Sequence, residues 1–173
     1  SFSGTNGANP HAGLVLGSDG NFYGTTVRVL TLRLPFPNPG TVFQVTTNGI
    51  LATLAFTAPY PSGLVLGSDG NFYGTTAYGG SSEGDGPGTV FKVTTNGTLT
   101  TLVSLGYTNG DGPRGDLALG ADGHLYGTTT GGGNGSGTVF KISTNGALTT
   151  LFAFNISDGN EGYRYGGYPW SGL

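Results

Sequence analysis

No cysteine and no methionine occur in the 173-residue sequence, and only 9% of the residues are charged. Without cysteine the chain has neither disulfides nor thiolate metal sites. Because methionine is missing even at position 1, we expect a processed form or a segment of a longer polypeptide. Six basic against nine acidic residues give a net charge of −3, so a nucleic-acid partner is not expected.

Long apolar runs are also missing, so no membrane insertion is expected in this segment. Glycine, in contrast, accounts for 36 residues. Glycine is a poor helix former and amphipathic helices need charged outer faces, which excludes a coiled coil and disfavours a helical bundle. The hydrophobic residues, 35% of the chain, are enough to build cores.

The sequence repeats itself. The stretch GLVLGSDGNFYGTT occupies residues 13–26 and, unchanged, residues 63–76, and a looser copy, GDLALGADGHLYGTT, occupies residues 115–129. Asp-Gly, Gly-Thr-Val-Phe and Thr-Asn-Gly recur in that order with a period of about 50 residues. Three units of one supersecondary structure are therefore predicted.

Each unit contains one Asp-Gly and one Asn-Gly pair, the dipeptides that most readily form two-residue hairpin turns. Two hairpins, and therefore four short strands, are predicted in each unit. Apolar and β-branched residues on both faces of strands such as TVFKV indicate sheets packed between neighbours. Positive φ angles are expected at the turn glycines, which are Gly20, Gly49, Gly70, Gly97, Gly123 and Gly146.

Four-stranded sheets of this kind stack radially in a β-propeller, and antiparallel hairpins favour a propeller over a solenoid. The residues GLVLGSDGNFYGTT followed by GTVFKVTTNGTLTTL resemble the Gloeo_Verruco (GloVer) tandem repeat of secreted and surface-anchored bacterial proteins. The resemblance covers nearly the whole chain; it implies a propeller-like repeat protein with an extracellular or cell-surface location and carries no activity.

We therefore predict an all-β fold, a propeller-like array of three four-stranded antiparallel blades. The blades are expected at residues 13–54, 63–102 and 115–151, with residues 152–173 as a connection toward a next blade.

Two segments depart from the repeat and are candidate interface or ligand contacts. The alternating apolar pattern of residues 27–39 predicts a strand, which could pack on its own blade, contact another subunit or line a ligand groove. Residues 155–173 hold several tyrosines and the only tryptophan, which could seal the gap to a next blade or bind a sugar or protein. The candidate residues are Leu30, Leu32, Leu34, Phe36, Tyr163, Tyr165, Tyr168 and Trp170.

No catalytic motif is present. His11 and His124 occupy different places in their units, and no nucleophile elbow accompanies either. We therefore expect no enzyme activity and no cofactor. Calcium stays open as an alternative, because residues 83–86, 109–116 and 157–162 place side-chain oxygens in glycine-rich loops.

The near-identical units predict a structural or assembly protein, such as a subunit of a surface polymer or filament. Its partners would be copies of itself or further repeats of the same chain. The alternatives are a carbohydrate- or protein-binding propeller module, or the scaffold part of a longer secreted enzyme or adhesin. Three blades are too few to close a ring. Both ends stop at the same phase of the repeat, so we expect a homopolymer or closed ring, ranked slightly above a section of a longer chain.

Overall fold

The structure, a computed structural model, describes residues 7–27, 39–81, 86–133 and 135–155. Every regular element in these ranges is a β-strand, and the strands form three four-stranded antiparallel sheets. The predicted all-β array of three blades is confirmed. None of the described residues belongs to a helix that is long and apolar enough to cross a membrane.

The strands follow one another along the chain in each blade. Blade 1 consists of β1 (Val15–Leu16), β2 (Phe22–Thr26), β3 (Pro39–Val45) and β4 (Leu51–Pro59). Blade 2 consists of β5 (Val65–Leu66), β6 (Phe72–Thr76), β7 (Thr89–Val93) and β8 (Leu99–Ser104). Blade 3 consists of β9 (Ala118–Leu119), β10 (Leu125–Thr129), β11 (Gly135–Ile142) and β12 (Leu148–Asn155). The fourth strand of each blade runs past the residue at which the sequence units were expected to end.

Each strand pairs with its sequence neighbours, and the first strands of successive blades contact one another. The first strands therefore form the inner edge of the array and the fourth strands its outer edge. Because successive strands are antiparallel, the hairpin turns all lie at one end of the blades, which we call the turn side. The connections between second and third strands, and those between blades, lie at the opposite end, which we call the connection side.

The hairpin turns are three-residue loops, so the prediction of two-residue turns is wrong. In the first turn the Gly20 N–H donates to the Gly17 carbonyl at 3.1 Å, and the Gly17 N–H donates to the Asn21 carbonyl at 2.8 Å. This is the pattern of a type I turn followed by a left-handed glycine. Positive φ is confirmed at all six predicted glycines, with values between 76° and 94°. Asp19 does not have a positive φ, which the two-residue type I′ turn would require.

Hydrogen bonds to the turn aspartate stabilise the loop in the Asp-Gly turns. The Asp19 carboxylate accepts from the Asn21 N–H at 3.2 Å and from the Tyr23 hydroxyl at 2.8 Å. The Tyr23 ring crosses Gly17 so closely that a Cβ there would lie 2.6 Å from Cε2 of the ring. The same bond joins Tyr73 to Asp69 at 2.7 Å and Tyr126 to Asp122 at 2.9 Å.

The hydrophobic core lies between the blades. Tyr23 and Val42 of blade 1 pack on a cluster from blade 2, and the Tyr23 and Phe72 rings stack with centroids 4.1 Å apart. We call the side of a blade that carries this tyrosine and valine its trailing face, and the opposite side its leading face. The leading-face residues of blade 2 are Leu64, Phe72, Phe91 and Val93. Between blades 2 and 3 the equivalent residues are Tyr73 and Val90 against Leu117, Leu125, Phe140 and Ile142.

Candidate functional site

The contact residues predicted from the sequence all lie outside the described residues. Leu30, Leu32, Leu34 and Phe36 fall in residues 28–38, and Tyr163, Tyr165, Tyr168 and Trp170 fall in residues 156–173. Their roles stay predictions. Two other surfaces of the described chain have the properties of contact sites: the open faces of the outer blades and a pocket on the connection side.

The leading face of blade 1 is open among the described residues. Leu14 has 54% of its surface exposed, whereas Leu64, at the same position in blade 2, has 6%. Phe22 is half-buried, whereas its counterpart Phe72 is fully buried. Leu14, Phe22 and Val45 are therefore less buried than their counterparts in blade 2, whereas Phe43, the counterpart of Phe91, stays buried.

The trailing face of blade 3 shows the matching pattern. Tyr126 and Val139 are half-buried, whereas Tyr73 and Val90, their counterparts in blade 2, are fully buried. The two outermost faces of the described array thus carry the two halves of the contact that already joins its blades.

A cavity of about 750 Å³ opens on the connection side. The segments that precede β1, β5 and β9 line it, at residues 9–13, 60–63 and 114–116. Val27 and Ala77, which follow β2 and β6, complete the lining. The pocket is therefore formed by all three blades, and its side chains come from positions about 50 residues apart in sequence.

The three segments share one backbone conformation. Asn9, Tyr60 and Gly112 each precede a proline and have left-handed φ angles of 54°, 54° and 60°. Their carbonyls accept hydrogen bonds from the residue after the second strand of the blade, Val27 at 3.1 Å, Ala77 at 3.0 Å and Thr130 at 3.2 Å. We call these three positions the corner residues. The residue after the proline differs from blade to blade, and is His11, Ser62 and Arg114.

Tyr60 is the unusual corner residue. Left-handed φ costs an L-residue roughly 1–2 kcal/mol, and the bulky tyrosine cannot offset it with the local hydrogen bonds that asparagine makes. The Tyr60 ring is 45% exposed and packs edge-to-face on Tyr78, with centroids 5.5 Å apart. Backbone strain of this kind concentrates at functional sites.

The carboxylate of Asp116 is held in place within the pocket. Its Oδ1 accepts a hydrogen bond from the Gly63 N–H at 2.6 Å, which joins the connection before β9 to the connection before β5. A Cβ on Gly63 would lie 2.6 Å from Asp116 Oδ2, so only glycine permits this approach. Ser62 is fixed as well, because its Oγ accepts from the Thr75 N–H at 3.1 Å.

The two histidines lie at opposite ends of the blades. His11 lines the connection-side pocket. His124 lies on the turn side, with Nδ1 3.1 Å from Asp122 Oδ2. The structure therefore does not bring them together.

No group of three or more histidine, aspartate or glutamate side chains suited to a metal ion occurs in the described part of the chain. Of the loops considered for calcium, only residues 109–116 are wholly described. Two side chains there, Asn109 and Asp116, accept hydrogen bonds from the backbone N–H groups of Gly106 and Gly63. The expectation of no cofactor stays a prediction, with calcium as its alternative.

The family model of the Gloeobacter/Verrucomicrobia repeat matches residues 1–168. The chain belongs to this repeat family. The resemblance stated from the motifs is thereby confirmed. No curated protein matches the chain in sequence.

Several solved structures share the fold of this Gloeobacter/Verrucomicrobia repeat chain. Virginiamycin B lyase from Staphylococcus aureus has a TM-score of 0.50 at 19% identity, over 85% of this chain and 56% of the lyase. A luciferin-regenerating enzyme has a TM-score of 0.56 at 16% identity, over 83% of this chain and 45% of the enzyme. A proposed gluconolactonase has a TM-score of 0.52 at 17% identity, over 85% of this chain and 50% of that protein. The chain spans about half the length of these proteins.

These likenesses contradict the prediction that the chain is not an enzyme, because each similar structure is named as one. The prediction rested on the absence of local catalytic motifs. In a propeller, the polar side chains of a site come from connections that are distant in sequence, as in the pocket here. A search for local sequence motifs does not detect such a site. At these identities the likeness concerns the fold alone.

The pocket residues were not predicted from the sequence, because they lie in segments that are distant from one another along the chain. The signal that could have found them is a proline that recurs before each first strand, at Pro10, Pro61 and Pro113. The sequence Tyr168-Pro169-Trp170 repeats this pattern, outside the described residues.

Proposed function

We propose that the chain is an extracellular assembly protein whose outer blades stack head to tail on further blades of the same repeat, completing a propeller. The observation that carries this proposal is the exposure of Leu14, 54%, against 6% for its counterpart Leu64. Contiguous apolar surface on a protein marks a contact site. The extracellular location is what the resemblance to the repeat family implies.

The proposed contact would use the same types of side chain as the existing contacts between blades. Tyr126 and Val139 on the trailing face of blade 3 match Tyr73 and Val90, which pack on blade 3 itself. Leu14 and Phe22 on the leading face of blade 1 match residues that pack on blade 1 in turn. The two open faces are therefore complementary to each other, and the contact between them would be heterologous.

The number of blades favours a closed ring of two copies. Three blades from each of two copies give six, within the range of roughly four to eight seen in propellers. The chain also spans about half of each similar solved structure, 45% to 56% of their lengths. A filament is the other outcome of heterologous stacking, when the rotation between copies does not close.

The test is the mass of the particle that the 173-residue chain forms in solution, by sedimentation equilibrium across a range of concentrations. We expect twice the 17.4 kDa of one chain. Burying an unpaired charge in an apolar contact costs several kcal/mol, so Leu14→Asp should raise the dissociation constant by at least about 100-fold.

Thr100→Asp is the control, because Thr100 is exposed on β8 of blade 2, whose two faces already pack on blades 1 and 3. This variant should assemble as the wild type does. A single-chain mass at every concentration would contradict the proposal. Open-ended particles would retain the stacking and exclude the two-copy ring.

A second candidate is a section of a longer secreted enzyme built from such blades. The observation in its favour is that the similar structures of about twice the length are named as enzymes. In that protein the same faces would stack on blades of the same chain.

A further inference from the structure

The pocket on the connection side has features that the fold does not require. Blade 3 has glycine at its corner, where left-handed φ carries little cost, whereas blade 2 has Tyr60 in the same conformation. The blade can therefore be built without the tyrosine. The ring is instead held at the pocket wall, partly exposed and braced by Tyr78.

The charges of the pocket are mixed. Asp116 and Arg114 both line it, and His11 adds a third titratable side chain. An anionic ligand would meet the Asp116 carboxylate, and a cationic ligand would meet the Arg114 guanidinium. A neutral ligand rich in hydroxyl groups can instead donate to the carboxylate and accept from the guanidinium. Mixed charge thus favours a neutral polyhydroxylated ligand.

The geometry supports the same class of ligand. Asp116 lines the pocket and is oriented by the 2.6 Å hydrogen bond from the Gly63 N–H to its Oδ1, and its second oxygen can accept further hydrogen bonds. Tyr60 and Asp116 both line the pocket, so it contains one aromatic side chain and one oriented carboxylate. A sugar ring has the complementary pair, an apolar C–H face and a rim of hydroxyl groups. The volume of about 750 Å³ lies within the range of roughly 300–1,000 Å³ for ligand sites.

We propose that this pocket binds a neutral saccharide, with one sugar ring stacked on Tyr60 and its hydroxyl groups bonded to Asp116 and Arg114. The site lies within a single chain, so it does not depend on the proposed assembly. It also differs from the aromatic segment near Trp170 that the sequence analysis named as a candidate.

The test is calorimetric titration of the whole chain with neutral hexasaccharides of glucose, mannose, galactose and xylose, and with an oligogalacturonate as the acidic probe. At least one neutral probe should bind saturably at concentrations up to about 1 mM. The acidic probe should bind more weakly, because its carboxylates would face Asp116. Absence of binding by every neutral probe, or tighter binding of the acidic one, would overturn the proposal.

Variants locate the site. Tyr60→Gly should reduce the affinity at least about tenfold without unfolding the blade, because blade 3 already has glycine at this corner. Asp116→Asn should reduce it by a similar factor while keeping an oxygen for the Gly63 N–H. Tyr107→Ala is the matched control, since Tyr107 is 75% exposed and does not line the pocket. Unchanged affinity in Tyr60→Gly, or an equal loss in Tyr107→Ala, would place any sugar binding elsewhere.

The outcome is separable from that of the assembly proposal. Titration of the Leu14→Asp variant measures sugar binding under conditions that favour the single chain. Binding there, without assembly of the wild type, would support the pocket and contradict the stacking. Assembly of the wild type without sugar binding would support the stacking and contradict the pocket proposal.

Discussion

The turn side and the connection side of the blades differ in how much their residues vary. On the turn side the same aspartate, glycine and tyrosine recur in all three units with hydrogen bonds of 2.7 to 2.9 Å between hydroxyl and carboxylate. On the connection side the corner residue is Asn9, Tyr60 or Gly112, although the backbone conformation is the same. The Asp-Gly turns repeat their chemistry, whereas the corner positions and the residues after their prolines repeat only the backbone conformation.

This difference indicates that the turn residues stabilise the blade, whereas the corner positions are free to vary for binding. The Asp-Gly turn tolerates little change, because glycine, aspartate and tyrosine contact one another directly. A corner held by backbone hydrogen bonds accepts different side chains. Variable side chains on a constant frame are what a binding surface requires, and the three predictions that follow test this division.

The largest effect is expected from adding a single methyl group on the turn side. In Gly67→Ala the new Cβ would lie 2.5 Å from Cε2 of Tyr73, a fully buried ring. Overpacking of this kind lowers the free energy of unfolding by about 1–3 kcal/mol. Urea denaturation measures the loss.

Gly13→Ala, on the connection side, is the matched control. No atom lies within 4 Å of a Cβ placed there. Its free energy of unfolding should match that of the wild type within about 0.5 kcal/mol. Equal losses in both variants would contradict the assignment of the Gly67→Ala loss to the clash with the Tyr73 ring.

An intermediate effect is expected at the turn aspartate of blade 2. Partial burial raises the pKa of Asp69, but hydrogen bonds from Asn71 and Tyr73 outweigh it and hold the pKa below its usual value. A lowered pKa in the folded state means that the ionised form stabilises the fold above the unfolded pKa. This stabilisation is lost as the pH falls through the folded pKa.

Asp69→Ala should therefore lower the free energy of unfolding at neutral pH by about 1–2 kcal/mol, through the lost hydrogen bonds. The difference from wild type should shrink below about pH 4, where the unfolded carboxyl begins to bind protons. Thermal unfolding at several pH values measures both. Ser68→Ala in the same exposed turn is the control, and a pH-independent difference for Asp69→Ala would contradict the assignment.

The sequence predicted the strands and the blades because their signals are local. Gly20 and Gly49 follow aspartate and asparagine, and their left-handed φ angles are set within a few residues. The length of the turns was missed, because Asp-Gly and Asn-Gly pairs occur in both two-residue and three-residue loops. All six turns here have the longer loop, and in the Asp-Gly turns the hydroxyl of the tyrosine four residues beyond the aspartate bonds the carboxylate.

The candidate site could not be predicted in the same way. The Asp116 to Gly63 hydrogen bond joins residues 53 positions apart, and the pocket exists only once the blades are stacked. The segments that looked most unusual in the sequence, around Leu32 and Trp170, lie outside the described residues. The corner prolines did not predict a site, because a single proline in a connection is also typical of an ordinary loop.

The smallest effect is expected at Tyr60, where opposing contributions nearly cancel. Tyr60→Gly relieves the cost of left-handed φ, roughly 1–2 kcal/mol, but loses the contact with Tyr78 and adds flexibility to the unfolded chain. The free energy of unfolding should therefore change by less than about 1 kcal/mol. Tyr60→Ala loses the same contact and keeps the strain, so it should be less stable than Tyr60→Gly by about 1 kcal/mol. Urea denaturation of the two variants side by side measures this difference. If alanine were as stable as glycine, Tyr60 would not be held in the left-handed conformation, and the corner would not be a constant frame for variable side chains.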